Sequence, residues 1–305
     1  DQMGDCILNI MDRFEIYYWP RDWREFSINN YTYYAIPKLF GLLDTSSMDV
    51  SGITALQNQP ILNLTGKNVL MGFVDTGIDY QNPLFLGKDG KTRVTAIWDQ
   101  TDQSGTAPEG FYYGTEYREE AIDAALQTEN PEHTVPSRDE NGHGTFMAGI
   151  AAGGMTEDGS FTGAAPDAKI AMVKLKPAKQ YLRDFFFIRE DALAFQENDI
   201  MAGLAYLRRL ARELRLPLVV CLGVGSNQGV RTGAMPLSRV MEYMGTDTGT
   251  ILVAAAGNET GLAHHYMGMF GREKEMESVE LRVAEGERGF SLEFWAQAPE
   301  VYSIA

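Results

Sequence analysis

The run Val69-Leu70-Met71-Gly72-Phe73-Val74 is apolar throughout and stops abruptly at Asp75-Thr76-Gly77-Ile78-Asp79. An apolar stretch without alternation suits a strand buried on both faces, as in a parallel sheet held between layers of helix. A second such run, Thr250 to Ala256, leads into Gly257-Asn258-Glu259. Further strands are predicted over 170–175 and 218–222. Between them, Ile200, Leu204, Leu207, Ala211 and Leu214 recur at helical spacing within 198–214. Asn198 or Asp199 would cap that helix, and another is predicted over 237–244. Strand alternating with helix defines an α/β chain: a parallel sheet with helices on both faces.

Open sheets of this type carry their sites at the carboxyl ends of the strands, where Asp75 and Asn258 fall. A third candidate stretch is Asn141-Gly142-His143-Gly144-Thr145, followed by the small and apolar run 146–152 and then Gly153-Gly154. It reads as a helix from His143 to the glycine pair. Glycine on each side lets backbone or substrate approach the ring closely, and imidazole is the usual general base near neutral pH. Taken alone, the stretch fits a structural histidine at a helix start equally well.

Composition excludes several alternatives. The net charge of −16 is a poor match to a phosphate backbone, so no nucleic-acid partner is expected. No stretch approaches the ~18 apolar residues of a membrane span. Cys6 and Cys221 are far apart and read as free thiols, with neither a disulfide framework nor metal spacing. His264-His265 follows Glu259 closely but lacks further ligands, so no metal site is assigned. Asp1-Gln2-Met3-Gly4-Asp5 is not a basic region before an apolar core, so no signal peptide is visible; export stays open.

With Asp75-Thr76-Gly77, His143-Gly144-Thr145 and Ala255-Ala256-Gly257-Asn258 in that order, the chain resembles the subtilisin-like serine peptidases over roughly residues 50 to 270. Phe161-Thr162-Gly163-Ala164-Ala165-Pro166-Asp167-Ala168, leading into Ile170 to Lys174, adds to the likeness. The resemblance implies Asp75 as the orienting carboxylate, His143 as the base and Asn258 as the oxyanion donor. It implies that Gly223-Val224-Gly225-Ser226 lines the pocket for the residue before the scissile bond. Ser226 is then a pocket residue and not the nucleophile. A protein or peptide substrate follows, with no catalytic cofactor. Structural calcium occurs in the family, but no Asp/Asn-rich loop assigns it here.

Tyr34 to Phe40, Val173 to Lys179 and Ile97-Trp98-Asp99-Gln100-Thr101 resemble the clostridial Csp-type subtilases, a group that includes spore germination proteases. That likeness implies a retained prodomain and an inserted jelly-roll domain. It also suggests a spore or extracellular location. Residues 1–45 are the prodomain-like segment, with short strands at 6–10 and 15–19 and an aromatic, β-prone stretch at 31–36. Residues 46–275 are the catalytic domain, opening on a linker and short helix over 45–64. Its segment 80–139 reads as a long surface insertion, with a helix over 116–126. Residues 276–305 alternate at Val279, Leu281, Val283 and at Phe290, Leu292, Phe294, and read as the opening strands of the inserted β domain.

No Gly-Thr-Ser stretch occurs in the 305 residues. The expectation is that the catalytic serine lies on a C-terminal part of a longer polypeptide. Two function classes stay open: an Asp-His-Ser endopeptidase, and a catalytically inactive Csp-like relative acting as a binding or regulatory module. The residue at the serine position separates them.

Overall fold

The computed structural model describes residues 7–11, 13–18, 27, 30–42, 64–159, 161–257, 261–269, 276–296, 299 and 301–304. The cysteine at position 6 and the helix expected within 45–63 lie outside these residues.

Five parallel strands form the body of one sheet. They are β4 (Leu70–Asp75), β5 (Val94–Asp99), β7 (Lys169–Lys174), β9 (Leu218–Leu222) and β11 (Thr250–Ala254). The sixth, β6 (Thr115–Arg118), runs antiparallel along β5, giving the spatial order β11-β9-β4-β7-β5-β6. The sheet is therefore mixed at one edge. Residues 80–139 are only partly an insertion, because β5 is a wholly buried strand of the sheet. The helix expected over 116–126 shortens to α1 (Glu119–Leu126): Thr115 and Tyr117 alternate into the core, and a strand is the conformation that lets them do so.

Strand alternation divides the core into two layers. From β4, Leu70 and Val74 face one side together with Ala171, Val173, Val220 and Leu222. That face is covered by α4 (Glu197–Leu214), which presents Ile200, Leu204, Leu207 and Ala211. The opposite face carries Met71, Phe73, Ile97, Ile170 and Met172. Against it pack Met147, Ala148 and Ala152 of α2 (His143–Ala152), with Ile122 and Ala125 of α1. The helix at α4 starts at Glu197 without a side-chain cap. Asp199 is not a cap: it is buried and accepts from the Tyr113 hydroxyl at 2.9 Å, with Lys176 also bound to it.

Two elements depart from the sequence reading. Strand β11 is paired only to β9 among the described residues, and Ile251 and Val253 are half exposed or more. Among those residues it is an edge strand, not a buried one. Residues 276–296 form no strand, and Val279, Leu281, Val283, Phe290, Leu292 and Phe294 are exposed. A lone two-stranded hairpin is marginal in water, and apart from an edge-on contact of Phe294 with Tyr302 those side chains stay exposed.

The N-terminal residues pack onto the same body. Strands β1 (Ile7–Ile10) and β2 (Phe14–Tyr17) form an antiparallel hairpin, and Leu8, Ile10, Met11 and Ile16 join the α4 side of the core. The aromatic stretch at 31–36 contains a 3-10 turn (Tyr33–Ala35) in place of a strand. The extended piece comes later, at β3 (Leu39–Leu42), after Pro37. Strand β3 runs antiparallel between β8 (Phe195–Gln196) and β10 (Val224–Gly225). A short helix, α3 (Gln180–Phe185), flanks it, and α5 (Pro236–Met244) packs beside α4.

Leu204 is fully buried at the centre of the α4 layer. Leu204→Ala is expected to lower stability by about 2–5 kcal/mol through lost transfer energy and the cavity left behind. The check is urea denaturation, with a lower midpoint at an unchanged slope.

Candidate active site

Strand β4 ends at Asp75, which is 2% exposed. Its Oδ1 accepts from the Thr76 backbone N–H at 2.7 Å and lies 2.8 Å from His143 Nδ1. A carboxylate can only accept, so Nδ1 carries the proton. In the neutral ring this leaves the lone pair on Nε2, the tautomer a general base requires.

The approach of α2 to the end of β4 depends on two glycines. Gly142, at the N-cap, has φ +86, in the left-handed region. A Cβ on Gly144 would stand 2.2 Å from the Gly77 carbonyl oxygen and 3.2 Å from Asp75 Cβ. No other residue permits that contact without displacing the helix.

Asp139 holds the junction together. Its Oδ2 accepts from Thr145 through the backbone N–H at 2.8 Å and the hydroxyl at 2.7 Å. Its Oδ1 accepts from Gly142 N–H at 2.9 Å and the Thr76 hydroxyl at 2.7 Å. The Thr76 hydroxyl in turn accepts from Gly144 N–H at 2.9 Å. One carboxylate thus satisfies orphan donors of the first turn of α2 and ties that turn to the residue after Asp75. Burial alone would raise the Asp139 carboxyl, but the hydrogen bonds from Thr145, Thr76 and Gly142 outweigh it and hold it below the usual carboxylate range. Sequence reading missed Asp139. The available signal was an acidic residue just ahead of a helix start. At the other end of α2, the half-buried Arg93 guanidinium donates to Ala152 O at 2.7 Å and Ala168 O at 2.9 Å.

The segment 223–226 lies beside the pair. A Cβ on Gly223 would be 3.0 Å from Asp75 Oδ2 and 3.1 Å from His143 Cε1. Val224 and Gly225 form β10, paired to β3, and the Ser226 hydroxyl accepts from Gln228 N–H at 3.1 Å. Asn258 lies outside the described residues. The thiol of Cys221 is pushed up to about 11, first by burial and then by the Asp75 charge, so it is a poor nucleophile at neutral pH. His264 and His265 are exposed, and no group of three or more His, Cys, Asp or Glu that could hold a metal assembles among the described residues. Among the same residues, no helix is long and apolar enough to cross a membrane.

A family model for the subtilases, peptidase S8, matches residues 66–301, and the chain belongs to that family. Among solved structures, it is similar to the Clostridium perfringens CspB protease, with 33% identity and a TM-score of 0.58, over 70% of this chain and 40% of that one. Two subtilisin-like proteases of Arabidopsis thaliana are also similar. SBT3.10 is 28% identical over 45% of this chain and 20% of its own length, and SBT2.2 is 27% identical over 67% and 24%. The chain thus spans about a fifth to a quarter of the length of those curated relatives.

Asp139→Asn is expected to destabilise the protein by about 1.5–3 kcal/mol at neutral pH, the usual worth of hydrogen bonds to a charged acceptor. Because the folded-state pKa is depressed, this contribution is complete above the unfolded carboxylate value of about 3.9 and fades as pH falls from there through the lower folded value. Denaturation of both proteins across about pH 2.5–7, which brackets the carboxylate pKa, checks it: the two curves should converge only at the acid end.

Proposed function

We propose that this chain carries the base and orienting carboxylate of a serine endopeptidase, with a catalytic serine supplied from outside residues 1–305. The observation that carries the reading is the Asp75–His143 pair, 2.8 Å apart, set beside a strand that already binds an extended peptide segment antiparallel. In this reaction His143 Nε2 takes the hydroxyl proton as the serine attacks the peptide carbonyl, and Asp75 stabilises the imidazolium that forms. His143 then returns the proton to the leaving amine. Asn258 is assigned as the oxyanion donor by its place in Ala-Ala-Gly-Asn. Gly223 to Ser226 form the wall against which substrate backbone pairs.

The same reading makes residues 1–45 a prodomain whose extended tail, β3, occupies the substrate cleft. Residues 46–275 are the catalytic domain, and 276–305, although without strands among the described residues, are assigned by their alternating pattern to the opening of an inserted β domain. A catalytically inactive binding module is the competing class, and the intact Asp75–His143 geometry weighs against it.

In the full-length protein, His143→Ala is expected to abolish hydrolysis of a peptide library while leaving the circular dichroism spectrum unchanged. The wild type should also cut itself between about Ile36 and Val50, a break that intact-mass analysis detects and that the variant lacks. Equal activity in the two proteins would show that hydrolysis arises elsewhere.

A further inference from the structure

Side chains hold the start of β3 in addition to its strand pairing. The backbone N–H of Lys38 donates to Glu197 Oε2 at 3.1 Å, and Glu197 N–H donates back to Lys38 O at 2.6 Å. The next N–H, of Leu39, donates to Gln228 Oε1 at 3.0 Å. The Leu39 side chain is 5% exposed and packs with Ala178, Leu182, Phe186 and Ala194. Glu197 is itself 2% exposed, and its other oxygen accepts from Leu237 N–H at 3.0 Å. Burial raises its carboxyl above the ordinary range, against the pull of those two N–H donors and of the Lys38 charge. A buried carboxylate is costly unless its acceptors are filled, and here a peptide N–H from the cleft's occupant fills one of them.

Register locates this cluster relative to the chemistry. Gly41 lies opposite Gly225 and Leu42 opposite Val224. One further step brings a peptide position opposite Gly223, beside His143 and Asp75. Leu39 is four residues upstream of that position and Lys38 five. The Lys38 ammonium turns back onto the carbonyls of Tyr33 and Ile36, within its own segment. What Glu197 and Gln228 touch is therefore backbone, a contact that any extended peptide offers.

We propose that Glu197, Gln228 and the apolar pocket around Leu39 form an upstream subsite of the cleft, which binds substrate backbone four and five residues before the position facing Gly223 and selects an apolar side chain at the first of these. The inference rests on the reading of this cleft as a peptidase cleft. It assigns the enzyme to substrates that extend at least five residues ahead of that position, and against short ones.

The test uses the full-length protein and three fluorogenic peptides: Phe-Gly-Leu-Leu, the same core preceded by Lys-Leu, and the core preceded by Lys-Asp. The Lys-Leu extension is expected to raise kcat/KM about tenfold or more, the scale of one or two backbone hydrogen bonds plus a buried leucine. Lys-Asp should give no such gain. The ratio of Lys-Leu peptide to core should fall towards one in Gln228→Ala, and in Leu182→Ala should the first variant fail to fold. A second readout needs no turnover. In His143→Ala protein, excess Lys-Leu peptide should accelerate hydrogen exchange at the Lys38 and Leu39 amides by displacing the resident segment, and the core peptide should not. Equal kcat/KM for all three peptides overturns the subsite and leaves the peptidase reading standing. Selective displacement without hydrolysis by wild type keeps the subsite and overturns the peptidase reading. Neither displacement nor hydrolysis overturns both.

Discussion

The site depends on how closely the first turn of α2 can seat on the carboxyl end of β4. A side chain at position 144 would collide with the Gly77 carbonyl, so the contact exists only because that residue is glycine. Close packing alone would not fix orientation. Asp139 does so by accepting four hydrogen bonds, three from the start of the helix and one from Thr76. The carboxylate also complements the positive end of the helix dipole. Its partners lie immediately beside His143 and Asp75, so the 2.8 Å contact between those two side chains follows from the seating of one helix on one strand.

The sheet supplies the rigid frame for that contact. Strand β4 sits between β7 and β9, with helices on both faces, and all six of its residues are buried. Asp75 is thereby carried at the end of an element that cannot shift without disturbing both core layers. Strand β9 runs parallel to β4 and delivers Gly223 to the same edge. Glycine there leaves room next to the Asp75 carboxylate and the His143 ring, where a side chain would intrude.

The N-terminal residues complete this edge. Their hairpin is part of the α4-side core, while β3 crosses the face beside the site as a strand between β8 and β10. The backbone ladder is short, two residue pairs on each side. The buried carboxylate of Glu197, the Gln228 amide and the apolar contacts of Leu39 extend the grip beyond that ladder. Glu293 adds a link from the C-terminal residues, accepting from Gly229 N–H at 2.6 Å and binding the Tyr33 hydroxyl.

Much of this protein is legible in its residues because the relevant signals are local. An apolar run that halts at Asp75, a histidine between glycines, and leucines at helical spacing each report on a strand end, a helix start or a buried face. From those signals come the α/β architecture, the family, and the placement of Asp75 and His143 at one sheet edge. Tertiary structure decided what depends on partners distant in the chain. Residues 115–118 became a strand because β5 offers an edge on which Tyr117 can be buried. Ile251 and Val253 are exposed where, among the described residues, β11 pairs with β9 alone. The alternation at 279–294 produced no sheet, since a period-two pattern needs a neighbouring strand as well as its own sequence. Asp139, Glu197 and Gln228 gave little local sign of their roles, because a carboxylate or amide becomes a clamp only when backbone N–H groups from elsewhere in the fold are brought within reach of it.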